Sequence, residues 1–396
     1  HDTVGIALPA RLHVRPERYL DDQALRIVTS VRKQTLSVRG RADRGSGSTV
    51  RLSATDRDGK TRSLGTAKVI QDGTWQFYAP FKTARLWSPE DPHLYRLKIS
   101  LVDSKGRELD QSDHRFGFRE VWVKGPNFYL NGVRRNLLAT STWPLAEPLP
   151  RTELKRRMLE VKKSNAIAFR PHIGPWQKDV REIADEIGLL IVDEAPLYTD
   201  GSGMYAYQDP RFWANYKKVL DGLVAWSHNH PSVVMWSLGN EILFMGNQRY
   251  AQDLPQRLGD LARHVRKIDP TRPLTFEADL DPDGAYDAIG LHYPHELPAQ
   301  HAYPAITDWL GSAKQTEAGG GMLGTVGSSF TWDRKKPLYI GEYLWTPYGD
   351  YSAGTVFYGP EAYRDRGKFH GKAQRDAWYD QTIAYRRSEV TGVSPW

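Results

Sequence analysis

The chain has 396 residues, no cysteine and a formal charge of +7 at neutral pH. The missing thiols exclude disulfides, thiolate metal sites and a cysteine nucleophile, and no run approaches the ~18 apolar residues that a membrane span needs. Its 54 Lys and Arg are interspersed with 47 Asp and Glu rather than gathered into a stripe, which argues against nucleic acid as a partner.

No charged-then-apolar leader opens the chain at His1. The compartment stays open, with a bacterial periplasmic or secreted setting as the expectation. Thirteen Trp and 20 Tyr supply flat faces of the kind that stack on sugar rings.

From Ala24 to about Phe118 apolar and polar residues alternate in short runs, as in "ALRIVTSVRKQTLSVRG", "STVRLSATD", "GTWQFYAPF" and "LYRLKISLVD". Turn residues separate them, with Asp-Gly inside Arg57 to Lys60 and a second turn at Ser104 to Gly106. Several short antiparallel strands over roughly a hundred residues predict an immunoglobulin-like β-sandwich, placed at residues 21–120. This half shows no convergent carboxylates or histidines.

After about Val123 the period changes, and residues 121–396 read as alternating helices and short apolar strands. Leu154, Met158 and Val161 precede "AIAFR"; Val180, Ile183 and Ile187, stopped by Gly188, precede "LLIVDEA". Trp213, Tyr216, Leu220 and Leu223 lead to "VVMWSLGNE", and Leu254 to Ile268 lead to "PLTFEAD". "AIGLHY", "PLYIGEY" and "GVSPW" follow. With "NLLATS" ahead of the first helix this makes about eight strands, the number that closes a (β/α)₈ barrel. "DPDGAYD" leaves no room for a full fifth helix.

In such a barrel the C-terminal strand ends form the active face. There the sequence puts Arg170 and His172, Asp193 and Glu194, Asn240 and Glu241, His292 and Tyr293, Glu342 and Trp396. Glu241 and Glu342 end the fourth and seventh strands, across the mouth from one another. Two carboxylates facing one bond suit glycoside hydrolysis, at ~5 to 5.5 Å separation for the retaining route and ~6.5 to 9.5 Å for the inverting one. Rim salt bridges are the plainer reading of such glutamates, but Asn240 beside Glu241, and Tyr343, Trp345, Tyr293 and Trp396 around Glu342, shape a pocket.

"SHNHPSVVMWSLGNE" resembles the acid/base signature of glycoside hydrolase family 2, the family of β-galactosidases, β-glucuronidases and β-mannosidases. "LWSPEDPHLYRLKISLVD" and "FGFREVWVKGPNFYLNG" resemble the end of its immunoglobulin-like domain and the entry to its barrel. "VKKSNAIAFRPH", "IADEIGLLIVDEAP", "IDPTRPLTFE" and "KPLYIGEY" resemble successive barrel strands, so the likeness runs from about Leu86 onward.

The resemblance implies a retaining exo-β-glycosidase with Glu241 as general acid/base and Glu342 as nucleophile. Asn240 would contact the sugar 2-hydroxyl, Arg170 and Tyr293 would hold Glu342 ionised, and Trp396 would form a sugar platform. His172, His292 and Trp345 are further expected substrate contacts. Glu241 is expected to start protonated, which gives a bell-shaped pH profile. A β-galactoside is the first expected substrate and a glucuronide or other acidic glycan the alternative; a carbohydrate-binding protein without turnover is a second class of reading. An interaction module of basic charge would leave the strand-end residues unexplained.

The likeness has gaps. Family members begin with a jelly-roll sugar-binding domain, and "VGIALPARLHVRP" within residues 1–20 resembles only its closing residues. "RRNLLATSTWP" lacks the histidine-bearing sequence of β-galactosidases, and no Asn-x-Lys follows Glu342, as it does in glucuronidases; "NYK" at Asn215 falls on a predicted helix. Long glycine- and aromatic-rich segments before and after the seventh strand are expected to shape the substrate site.

No cofactor is required by this chemistry, although a structural or activating divalent or alkali cation is left open. No metal site is assigned: "DLDPDG" from Asp279 has Gly290 where a calcium loop needs Glu, and His172 and His292 lack a third partner. An oligo- or polysaccharide is the expected partner, with no nucleic acid and no membrane, and a homo-oligomer is left open.

Overall fold

In this computed structural model the described residues are 12–142, 149–174, 176–198, 204–244, 247, 251–294, 307, 310, 315–316, 329–330, 332–344 and 359–395. Trp345 and Trp396, residues 1–11 and most of the two long loops around the seventh barrel strand lie outside them.

Seven antiparallel strands build the first unit: β1 (Tyr19–Ser30), β2 (Thr35–Asp43), β3 (Thr49–Thr55), β4 (Thr61–Lys68), β5 (Thr74–Pro80), β6 (Tyr95–Val102) and β7 (Glu108–Phe116). They form two sheets, ordered β1-β2-β5 and β4-β3-β6-β7. The two-residue alternation seen in the sequence points Leu36 and Val38 from one sheet, and Val50, Leu52, Leu97 and Ile99 from the other, into a common core with Trp75, Phe77 and Phe81. This is the expected sandwich.

β8 (Val121–Lys124), β9 (Asn127–Leu130) and β10 (Val133–Arg135) make a small antiparallel sheet. Its Val121, Phe128 and Leu130 pack with Trp87 against the barrel residues Ala168, Leu190, Val192 and Val234.

The barrel strands are β11 (Leu137–Leu138) with β12 (Ser141–Thr142), then β13 (Ala168–Pro171), β14 (Leu190–Glu194), β15 (Val233–Asn240), β16 (Leu274–Glu277) and β17 (Ile289–His292). A short antiparallel pair, β18 (Gln315–Thr316) and β19 (Ser329–Phe330), precedes the last two, β20 (Leu338–Tyr343) and β21 (Gly392–Pro395). Closure runs through the first strand, whose Leu137 pairs with Gly392 and whose Ser141 pairs with Arg170, both in parallel. Swinging from one neighbour to the other splits it into two segments. Between β16 and β17 the contact is a local bridge, Leu280 with Gly290.

Helices α1 (Arg151–Lys163), α2 (Asp179–Ile187), α3 (Pro210–Ser227), α4 (Leu254–Ile268), α5 (Glu361–Arg364) and α6 (Arg366–Arg387) lie between strands. α1 buries Leu154 and Met158, and α2 buries Val180, Ile183 and Ala184. α2 stops at Gly188, whose φ of 71° is left-handed and whose Cβ position lies 2.7 Å from Pro89 O, so only glycine fits there. α3 starts on Asp209, which caps Arg211 N at 2.8 Å with Pro210 in the first turn. The fifth helix is replaced by the 3₁₀ turn Pro282–Gly284, as the short "DPDGAYD" predicts. Among the described residues no helix is long and apolar enough to cross a membrane.

The first residues of the "SHNHPSVVMWSLGNE" run fix the barrel floor to the sandwich. Asn229 accepts from Ile27 N at 2.8 Å and donates to Leu25 O at 3.0 Å. Buried Arg119 donates to Pro231 O at 3.0 Å and Val233 O at 2.8 Å, while Trp87 Nε1 donates to Asp185 O at 2.9 Å. One end of the motif holds the domains together; the other end delivers Asn240 and Glu241 to the opposite face.

Candidate active site

Parallel strands that end together at one rim place their last residues around a common mouth. At that rim the backbone is repeatedly left-handed at non-glycine residues: φ is 34° at Ile173, 56° at Glu241, 66° at Ala278, 45° at Tyr293 and 81° at Leu344. Each such residue costs on the order of 1 kcal/mol, so the active face carries strain that the packed barrel below absorbs.

Glu241 is fixed by β16 and the residues after it. Its N–H donates to Glu277 O at 2.9 Å. The next three amides, of Ile242, Leu243 and Phe244, donate to the Asp279 carboxylate at 2.8, 2.9 and 2.9 Å. Burial pushes the Asp279 carboxyl up to about 7 against the pull of those three donors. Asp279 thus secures the turn that follows Glu241.

Glu342, 2 % exposed, ends β20. Arg170 Nη1 donates to its Oε1 at 2.8 Å, and the Tyr293 hydroxyl donates to Oε2. Burial alone would raise the Glu342 carboxyl; the fields of His292, Arg170 and His172 and the Tyr293 bond outweigh it and hold the group below the usual carboxylate value.

Arg170 is the hub. Fully buried, it also donates through Nε to Glu194 Oε2 at 2.7 Å and through Nη2 to Asn240 Oδ1 at 2.6 Å. That second bond fixes the Asn240 amide, whose buried Nδ2 has no hydrogen-bond partner among the described residues. His172 lies 3.0 Å from Glu194 Oε1 through Nδ1. Glu194, paired with Arg170 and His172, is drawn down to about 2 despite its burial.

His292 sits between the two candidate catalytic carboxylates, with Nδ1 2.8 Å from Glu241 Oε1 and 3.4 Å from Glu342 Oε2. Burial opposes its charge, but the field of Glu342, then the bond to Glu241 and the contact with Glu277, raise the imidazolium to about 10.

Arg170, His172, Asn240, Glu241, His292, Tyr293 and Glu342 therefore share one cluster; Trp345 and Trp396 are outside the described residues. Asp193 is not in it, since its carboxylate takes a two-bond pair with Arg181 of α2 at 2.7 Å. Trp236 is core, donating to Asp269 at 2.9 Å. Glu277, fully buried beside Arg170 and His292, is a member that sequence reasoning passed over. It ends a strand as Glu194 does, and that same signal could have found it.

Glu241, His292 and Glu342 present ligand atoms within 4.8 Å of one another. All three are already engaged in hydrogen bonds within the cluster, so the arrangement suits proton transfer.

An eight-stranded parallel barrel with paired carboxylates across its mouth, carried behind a β-sandwich, defines a class that comparison with known proteins makes specific. Residues 118–395 match the family model "Glycosyl hydrolases family 2, TIM barrel domain", and residues 10–119 match "Glycosyl hydrolases family 2". The chain belongs to glycosyl hydrolases family 2.

It is 27 % identical over 96 % of its length to a β-galactosidase of Aeromonas hydrophila, covering 36 % of that protein. To a β-glucuronidase of Paenibacillus borealis it is 30 % identical over 57 % of its length, covering 38 % of that protein. The chain thus spans little more than a third of these curated relatives. Its fold matches a Bifidobacterium dentium β-glucuronidase with a TM-score of 0.69 at 19 % identity, over 96 % of this chain and 61 % of that one.

Proposed function

We propose that the chain forms the catalytic part of a retaining exo-β-glycosidase that hydrolyses terminal β-linked sugars by double displacement, without an organic or redox cofactor. The observation that carries this reading is the unequal pair at the barrel mouth: Glu342 held ionised by Arg170 and Tyr293, facing Glu241 within 4.8 Å between their nearest ligand atoms. That spacing favours the retaining over the inverting arrangement.

In the first step a Glu342 oxygen attacks the anomeric carbon while Glu241 protonates the departing glycosidic oxygen. In the second, Glu241 takes a proton from water, which displaces Glu342 from the glycosyl-enzyme. Asn240 Nδ2 is assigned to the 2-hydroxyl. It is pre-aimed by Arg170, so the bond costs little ordering.

The first substrate is a β-galactoside, with a glucuronide or other uronide second; relatives bearing both names support keeping the two. The test is hydrolysis of a panel of aryl β-glycosides followed by proton NMR. Early appearance of the β-anomer of one sugar supports the proposal. Sugar binding without turnover would leave the chain as a carbohydrate-binding protein, and initial release of the α-anomer would replace retention by inversion.

A further inference from the structure

His292 and Glu277 have no part in the two-carboxylate scheme, yet both are fully buried at its centre. Glu277 is an unusual carboxyl group: among the described residues neither oxygen has a hydrogen-bond partner, and the nearest cations are His292 Nε2 at 3.5 Å and Arg170 Nε at 3.9 Å. Room for it is made by Gly341, since a Cβ there would lie 1.7 Å from Glu277 Oε2 and 3.0 Å from His292 Nε2. A buried polar group this poorly satisfied is costly, which asks what holds it in place.

We propose that Glu277, His292 and Glu241 form a proton relay in which Glu277 is a positioning residue that keeps one proton on His292 Nε2, and His292 Nδ1 replaces the proton that Glu241 passes to the leaving group. The inference rests on the glycosidase reading above.

In the free site the imidazolium carries both ring protons and donates through Nδ1 to Glu241 Oε1. When the glycosidic oxygen departs, the Glu241 proton goes to it, and the Nδ1 proton moves to Glu241 as that carboxylate forms. His292 is left neutral with its proton on Nε2, facing Glu277. Orientation of one imidazole tautomer by a buried carboxylate is the same physical device that serves hydrolase triads.

The relay also couples the two half-reactions. Among the described residues, Glu241 from β15, Glu277 from β16 and Glu342 from β20 are the carboxyl groups facing His292, Arg170 from β13 is the cation behind Glu277 and Glu342, and the Phe244 ring lies 6.0 Å from the imidazole. Formation of the glycosyl-enzyme removes the Glu342 charge. The site then holds one anion fewer, and its hold on the relay proton weakens while Glu342 is esterified. Hydrolysis restores that anion: Glu241 returns its Oε1 proton to His292 Nδ1 as its other oxygen takes a proton from the attacking water.

The test uses this chain with isotope-labelled histidine and the variant Glu277→Gln, which keeps the side-chain shape. Imidazole NMR of the wild-type chain is expected to show His292 cationic beyond pH 8, and the variant to lose that proton at least one pH unit earlier. On an aryl glycoside with a poor leaving group, the variant is expected to lose about 10²-fold in kcat and to shift the alkaline limb of its pH profile downward. A dinitrophenyl glycoside, which needs no proton, is expected to lose less than about threefold.

A wild-type His292 that titrates in the ordinary histidine range overturns the proposal, and so does a variant with unshifted titration or equal losses on both substrates. The NMR arm needs no turnover. A chain that hydrolyses no glycoside but shows the shifted titration defeats the glycosidase reading while leaving the dyad intact.

Discussion

Arg170 and Glu342 form a fully buried ion pair at 2.8 Å, and the same guanidinium holds Glu194 at 2.7 Å and Asn240 at 2.6 Å. One cation from the second strand thereby orients groups from the third, fourth and seventh. Arg170→Met takes the guanidinium away from two buried carboxylates. We expect a loss of about 3–5 kcal/mol in urea unfolding and at least 10²-fold in kcat/KM. Arg170→Lys cannot reproduce the three-way fork and is expected to recover little activity.

A second prediction concerns stability against pH. His292 has its folded value raised from 6.5 to about 10, so its contribution is complete below about pH 6.5 and is lost as the pH rises towards 10. The ceiling on that loss is about 4–5 kcal/mol. Urea melts from pH 6 to 10 check the sign: the wild-type chain should weaken steadily over this window, and His292→Gln should show a flatter dependence.

Gly341 offers a steric test of Glu277. In Gly341→Ala the new methyl would lie 1.7 Å from Oε2 of the fully buried Glu277. A destabilisation of about 1–3 kcal/mol is expected, together with an altered alkaline limb of the activity profile. Thermal melts and a pH series measure the two effects on one sample.

The domain contact is separable from the chemistry. Asn229→Ala removes the bonds to Ile27 N and Leu25 O between barrel floor and sandwich. We expect about 1–3 kcal/mol less stability, with pH profile and substrate preference unchanged.

Much of this architecture was legible in the sequence because its periods are clean. Leu36, Val38, Val50 and Leu52 alternate as a sandwich requires, and the helical stripes of α1 to α4 separate short apolar strands. The strand-end rule located Arg170, His172, Asn240, Glu241, His292, Tyr293 and Glu342, which the fold brings together. What escaped was pairing across the barrel. Nothing local to "PLTFEAD" says that Glu277 points at His292, or that Asp279 ties down the turn after Glu241, because both relationships arise only when β15, β16 and β17 are set side by side. The starting "SHNHP" was likewise readable as a motif, but its work as a domain fastener depends on a β1 that lies some two hundred residues earlier.

The role of Glu342 as nucleophile is open to a direct test, mass spectrometry of the intact chain after exposure to 2-deoxy-2-fluoro β-glycosides of galactose, glucuronic acid, mannose and glucose. We expect a mass gain of one fluorosugar, located on Glu342, with one member of the panel, and none in Glu342→Gln. A chain that turns over a glycoside yet gains no mass, or carries the label on another residue, would contradict it.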